Sequence, residues 1–137
     1  MSESAAVLAA NTTFYRAFAA PDMAAMDELW ASSLPVTCVH PGWDTLAGRD
    51  QVMESWRGIL LGAGPPPIRC CNETAYVHGD LAYVMCHEVI ARNQLVAINV
   101  FAREDGAWKM IHHQASPMAP GVERQEPPAA PTSRRLH

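Results

Sequence analysis

Cys38-Val39-His40-Pro41-Gly42-Trp43, continuing through Asp44 to Trp56, is the stretch on which the fold turns. Pro41 biases His40 toward extended backbone, and Pro41-Gly42 has turn chemistry. Val36 to His40 therefore reads as a short strand that ends in a turn, and Trp43 to Ala47 as a second brief strand. From Gly48 onward, Val52, Trp56, Ile59 and Leu60 recur at helical spacing and predict a helix. The segment is strand, turn, helix. It holds at its rigid corner the side chain whose ordinary pKa lies nearest neutrality.

Toward the N-terminus, Val7, Ala10, Phe14 and Phe18 mark an amphipathic helix over residues 3 to 19. Ala20-Pro21-Asp22 breaks it, with Asp22 as the N-cap of a shorter helix carrying Met23, Met26, Leu29 and Trp30. Toward the C-terminus the pattern changes. Gly62 to Pro67 is a loop by composition, and four β segments follow: Ile68–Val77, Leu81–Ala91, Gln94–Glu104 and Trp108–Ser116. Gly79-Asp80, Arg92-Asn93 and Asp105-Gly106 between them are hairpin signals. The expected class is α+β, a curved antiparallel sheet covered on one face by three N-terminal helices. Residues 1–117 form one domain, and 118–137 a Pro- and Ala-rich tail, either disordered or laid across a partner.

Composition narrows the function. The chain has 137 residues, 49% of them apolar, and a net charge of -4. Without a basic stripe it is not read as a nucleic-acid binder. No apolar run approaches a membrane span. Glu3 near the start does not suit a secretory signal, so the expected location is cytoplasmic. Cys38, Cys70, Cys71 and Cys86 match no zinc spacing and read as small buried hydrophobes. Adjacent Cys70 and Cys71 should point to opposite faces of a strand.

Three segments carry a family resemblance. They are Val39-His40-Pro41-Gly42-Trp43 with Leu46-Ala47-Gly48-Arg49-Asp50 and Ser55-Trp56; Ala97-Ile98-Asn99-Val100-Phe101; and Asp105 to Pro117. Their order resembles the nuclear transport factor 2-like superfamily, which includes SnoaL-like proteins and ketosteroid isomerases. The last segment is also similar to the association domain of calmodulin-dependent kinases. The resemblance covers roughly residues 5 to 117, near the usual domain size. It implies a cone-shaped, cystatin-like fold with a ligand pocket at the open mouth. It does not name a reaction, since this fold hosts several.

In the isomerases an Asp before a proline at the end of the first strand is the base. Here that place is His40, which could transfer a proton or simply cap the strand end by hydrogen bonding. Their oxyanion is held by a Tyr on the first helix and a protonated acid on a later strand. The Tyr position falls on Phe14; Tyr15 is one residue on, turned about 100° away. The acid position falls on Asn99, a donor that needs no shifted pKa, or else a buried amide serving its neighbours. The pattern also places Ile111, His113 and Ala115 toward the pocket. A two-residue Asp105-Gly106 turn would set Asn99 opposite His112. A three-residue Glu104-Asp105-Gly106 loop with a bulge would set it opposite Ile111, sharing a face with His113. The isomerase comparison favours the latter, leaving His112 on the convex face with Gln114.

The resemblance therefore implies His40, Asn99 and His113 as catalytic residues. Phe14, Tyr15, Trp43, Trp56, Phe101 and Ile111 are the expected ligand-binding residues. Trp43 can stack on a planar ligand, whereas Trp56 also suits a core position. Trp108 is expected to pack under Arg103. A metal held by His40, His87 and His113 lacks the usual carboxylate or thiolate partners, so neither metal nor cofactor is expected. Glu88, in an apolar strand, needs a partner. A His40–Asp44 hydrogen bond would favour catalysis. Two functions stand. One is a cofactor-free isomerase, cyclase or dehydratase acting on a small hydrophobic or carbonyl ligand. The other is a non-catalytic binding or assembly module. Either is expected to be a homodimer through the convex sheet face.

Overall fold

The computed structural model describes residues 1–64 and 66–119. Among these described residues, three helices and six strands follow in the order α1 (Glu3–Ala19), α2 (Met23–Leu29), β1 (Thr37–Val39), β2 (Leu46–Ala47), α3 (Arg49–Leu61), β3 (Arg69–His78), β4 (Leu81–Ile90), β5 (Asn93–Glu104) and β6 (Ala107–Pro117). The Ser2 hydroxyl caps α1 through Ala5 N–H, and the Asp22 carboxylate caps α2 through Ala25 N–H, each at 3.0 Å. Both satisfy donors that a helix start leaves open. At the other end of α2, the Arg49 guanidinium donates to the carbonyls of Asp27, Trp30 and Ala31. One side chain thereby joins the start of α3 to the end of α2. Gly48 precedes α3 at φ 92°, a conformation open to glycine.

The sheet order is β2-β1-β6-β5-β4-β3. The expected all-antiparallel sheet is corrected in one place: β1 runs parallel to β6, so the sheet is mixed and open. That parallel pair sets Cys38 opposite His113. His40, two residues beyond Cys38, shares its face.

The β5–β6 connection departs from expectation in its details. Glu104 pairs with Ala107, so the turn has two residues, with Asp105 at φ 55° and Gly106 at φ 80°. Positive φ at both is the turn that matches strand twist. The irregularity lies further in, where the register shifts between Val100↔His112 and Phe101↔Met110 and leaves Ile111 as the extra residue. Asn99 therefore faces His113, not Ile111. Asn99 and His113 do share a face, but a mid-strand bulge brings this about rather than the turn. The β4–β5 turn is Ala91-Arg92, one residue before the expected pair.

The face toward the helices carries Ala82, Val84, Cys86 and Glu88 of β4, Leu95, Ala97, Asn99 and Phe101 of β5, and Met110, His113 and Ala115 of β6, all buried. Phe14, Phe18 and Trp56 pack edge to face above it, with centroids 5.1–5.4 Å apart. The opposite face carries Tyr76, stacked on Tyr83 at 4.9 Å, and the half-buried Ile98 and Val100. His112 lies there, bonded to Thr37 and Gln114. As expected, Arg103 sits 4.5 Å over the Trp108 ring; it also pairs with Glu3 and Asp80. Met118 N–H bonds Gln94 C=O. The tail reading for 118–137 otherwise falls outside the described residues, which end at 119.

Candidate functional site

His40 lies at the end of β1, where the proline corner holds its backbone, and is 4% exposed. Trp43 and Trp56 meet its ring in edge contacts at 4.7 and 4.6 Å. Its Nε2 is 2.9 Å from Ser55 Oγ and 3.8 Å from Cys38 Sγ. The Ser55 hydroxyl donates to Val52 C=O at 2.7 Å. With that proton engaged, Nε2 is the protonated ring nitrogen and donates to Ser55. Burial lowers the His40 pKa to about 4, so the ring is neutral at pH 7. Asp44 does not orient it: that carboxylate accepts from Thr45 N–H, and its exposed turn carries it away. The group that holds the imidazole is Ser55.

Beside Ser55 opens a groove of about 540 Å³, lined by apolar Trp43, Leu46 and Ile59 with Gln51 and Glu54 among its polar residues. It lies between α3 and the β1–β2 turn. Trp43, 49% exposed, forms part of its wall. Gln51 Oε1 accepts from Ala47 N–H.

Asn99 and His113 come together as read from sequence, but inside a closed network. Asn99 Oδ1 accepts from His113 Nδ1 at 2.6 Å. Asn99 Nδ2 donates to Asn11 Oδ1 at 2.8 Å and to Tyr15 Oη at 3.1 Å. Tyr15 in turn donates to Glu88 Oε2 at 2.6 Å. Asn99 is fully buried and His113 3% exposed. Burial pushes His113 down to about 3, with the His40 and His112 charges adding to it. Burial also raises the Glu88 carboxyl above its usual range, an effect the Tyr15 hydrogen bond partly offsets. His113 Nε2 and Glu88 Oε2 stand 4.0 Å apart, too far for a hydrogen bond. Burial favours the neutral form of each.

The orientation of Tyr15 is a correction. It points not away from the site but against β4, beside Cys86 at 3.5 Å and Glu88. Phe14 is buried as well, against Trp56 and His113. Helix α1 is enclosed over more than one 100° step, because α2 covers one side and β3, β4 and β6 the other. Phe14, Trp56 and Phe101 are fully buried core residues. Ile111, the bulge residue, is half-buried, and Met110 takes the paired place on the helix-facing side. Of the six residues expected to bind ligand, Trp43 is the one on the described groove.

His87 bonds Asn72 on the opposite face of the sheet, so it cannot converge with His40 and His113. Among the described residues no cluster of three or more His, Cys, Asp and Glu is arranged for a metal. No helix among them is long and apolar enough to cross a membrane. Sequence reading missed Ser55 and Asn11, and left Glu88 without its partner. Asn11 had a signal: it falls four residues after Val7 and four before Tyr15, inside the apolar stripe. Ser55 likewise sits three residues after Val52 on the buried face of α3.

Comparisons with known proteins agree with this architecture. The model of the SnoaL-like domain matches residues 7–120. An NTF2-like protein of Streptomyces avermitilis, described as a candidate dehydratase, is 32% identical with a TM-score of 0.75, over 85% of this chain and 96% of that one. A candidate calcium/calmodulin-dependent protein kinase type II association domain from Thiobacillus denitrificans is 30% identical with a TM-score of 0.72, over 81% and 94%. F-box protein SKIP8 of Arabidopsis thaliana is 25% identical over 115 residues, 82% of this chain and 50% of that protein. The chain thus spans about half the length of that curated relative. The domain match, and the one-third identity to an NTF2-like protein along nearly its whole length, carry one conclusion: the chain belongs to the SnoaL-like domain family of NTF2-like proteins.

Proposed function

We propose that the protein binds a small, largely apolar carbonyl compound in the groove beside Trp43 and uses His40 for cofactor-free proton transfer, as in an isomerisation or dehydration. The carrying observation is the buried, neutral His40, whose Nε2 is 2.9 Å from a hydroxyl on the groove wall. Neutral imidazole is the form that accepts a proton. The dehydratase description of the Streptomyces relative supports the same class of chemistry. The donors of Asn99 and His113 are engaged with each other and with Asn11 and Tyr15. Their role in this reading is to hold the sheet face behind His40, not to bind an oxyanion.

Nitrobenzisoxazole tests this. It is flat, apolar and neutral, and loss of its carbon-bound proton opens the ring to a coloured phenolate without any cofactor. Wild type should exceed the buffer rate, and His40→Ala should lower that rate by ~10²–10⁴-fold. An unchanged rate in His40→Ala removes His40 from the chemistry.

A second reading, assembly through the sheet's outer face, is favoured by one observation: that face exposes Tyr76 and Val96 beside half-buried Ile98 and Val100. Contiguous apolar surface of this kind marks contact sites. The reading expects a homodimer, which sedimentation equilibrium checks; a monomer at micromolar concentration would exclude it.

A further inference from the structure

His40 does not itself line the groove; Ser55 does. The imidazole is flanked by Trp43 and Trp56 and is 4% exposed, and its short polar contact is with Ser55 Oγ. We propose that Ser55 is a catalytic residue, the hydroxyl through which His40 exchanges a proton with a molecule in the groove. This rests on the groove-binding reading above and adds a step to it.

The hydroxyl has two acceptors within reach, Val52 C=O at 2.7 Å and His40 Nε2 at 2.9 Å. A hydroxyl proton rotates to suit its partners. In the resting arrangement it points to Val52 and the ring proton is on Nε2. In the working arrangement it points to Nε2 and the ring proton is on Nδ1. A proton from the bound molecule then passes to Ser55 Oγ as the serine proton passes to Nε2. The hydroxyl is regenerated and His40 becomes imidazolium. With nitrobenzisoxazole the C–H electron pair forms the nitrile, and the N–O bond breaks with its pair on the phenolate oxygen. Burial of His40 disfavours its cation, and the anion formed alongside offsets that penalty.

The test compares Ser55→Ala, Ser55→Thr and His40→Ala on nitrobenzisoxazole. Ser55→Ala should lose rate by ~10²-fold or more, as His40→Ala does, while Ser55→Thr, which keeps a hydroxyl, should restore most of it. The wild-type rate should rise with pH through about 4 and then level; the residue left in Ser55→Ala should lose that profile. Full rate in Ser55→Ala with a large loss in His40→Ala overturns the relay and leaves the proposed function standing. Full rate in His40→Ala, or no wild-type rate above buffer, overturns both. A readout free of turnover is alkylation by iodoacetamide of the thiol introduced by Ser55→Cys, followed by mass spectrometry. It should be several-fold faster with His40 present than in the His40→Ala background. Equal rates would overturn the relay.

Discussion

His40 and His113 are both buried, both neutral at pH 7, and 6.5 Å apart between ring centroids. They differ in what surrounds them. His113 belongs to a sealed network in which Asn99, Asn11, Tyr15 and Glu88 satisfy one another. Among the described residues the His40 ring meets Ser55 Oγ at 2.9 Å and, more weakly, Cys38 Sγ at 3.8 Å, and Ser55 forms part of the wall of a groove. A satisfied buried network makes a rigid, specific core; a group whose strongest partner is a hydroxyl on a solvent-facing wall can exchange it. Burial and a lowered pKa therefore do not by themselves separate a structural histidine from a chemical one. The proposed function rests instead on the contact between His40 and a groove-lining hydroxyl.

The sharpest way to break the comparison is Asn99→Leu. It leaves Asn11 Oδ1 and His113 Nδ1–H without their partner and takes from Tyr15 the donor it accepts from. Each orphaned buried group costs ~1–3 kcal/mol, so a loss of about 3–5 kcal/mol is expected in urea unfolding. Affinity for nitrobenzisoxazole, in any variant that still folds, should stay within about twofold by fluorescence titration. A stability loss under about 1 kcal/mol would mean that the network is not the rigid half of the pair.

Acid titration treats the two histidines alike and so sharpens the contrast from another side. Each has a folded pKa below the unfolded value near 6.5, so the unfolded chain binds more protons over that interval. Their contribution is complete above pH 6.5 and is lost as pH falls toward about 4 for His40 and about 3 for His113. The slope is about 1.4 kcal/mol per pH unit for each. Glu88, with its pKa raised, acts in the opposite direction, gaining stability as pH falls through its folded pKa. His40→Asn and His113→Asn should each flatten the curve, measured as unfolding midpoint against pH between about 6.5 and 4. An unchanged slope in both would refute the neutral-histidine assignment.

The smallest effect on stability is expected from Trp43→Ala. The ring is 49% exposed, and its removal should change unfolding free energy by no more than about 1 kcal/mol. The same change should weaken nitrobenzisoxazole binding several-fold in fluorescence titration. Loss of stability without loss of binding would reverse the assignment of Trp43 to the groove.

Much of the architecture was legible in the residues. The α1 boundaries, the Asp22 cap, the Gly79-Asp80 hairpin and the Arg103–Trp108 stack follow from periodicity, capping and turn chemistry. So does the placement of Cys70 and Cys71 on opposite faces. These are local properties, set by neighbours a few positions apart. The site was less legible. Tyr15 could not be placed because rotation around α1 excludes it only if one face is buried, and here two sides are. Ser55 stood in a segment that carried the resemblance but had no role there, since its contact is with a histidine fifteen residues earlier in the chain.

The sequence by itself determined the kind of domain, the order of its elements and the strand end on which His40 sits, because backbone preference and apolar spacing act locally. The tertiary structure alone decided that β1 runs parallel to β6, that a bulge at Ile111 turns Asn99 toward His113, and that Ser55 stands between His40 and the groove. Those outcomes depend on side chains from distant segments competing for the same interior, and that competition is settled only by packing them together.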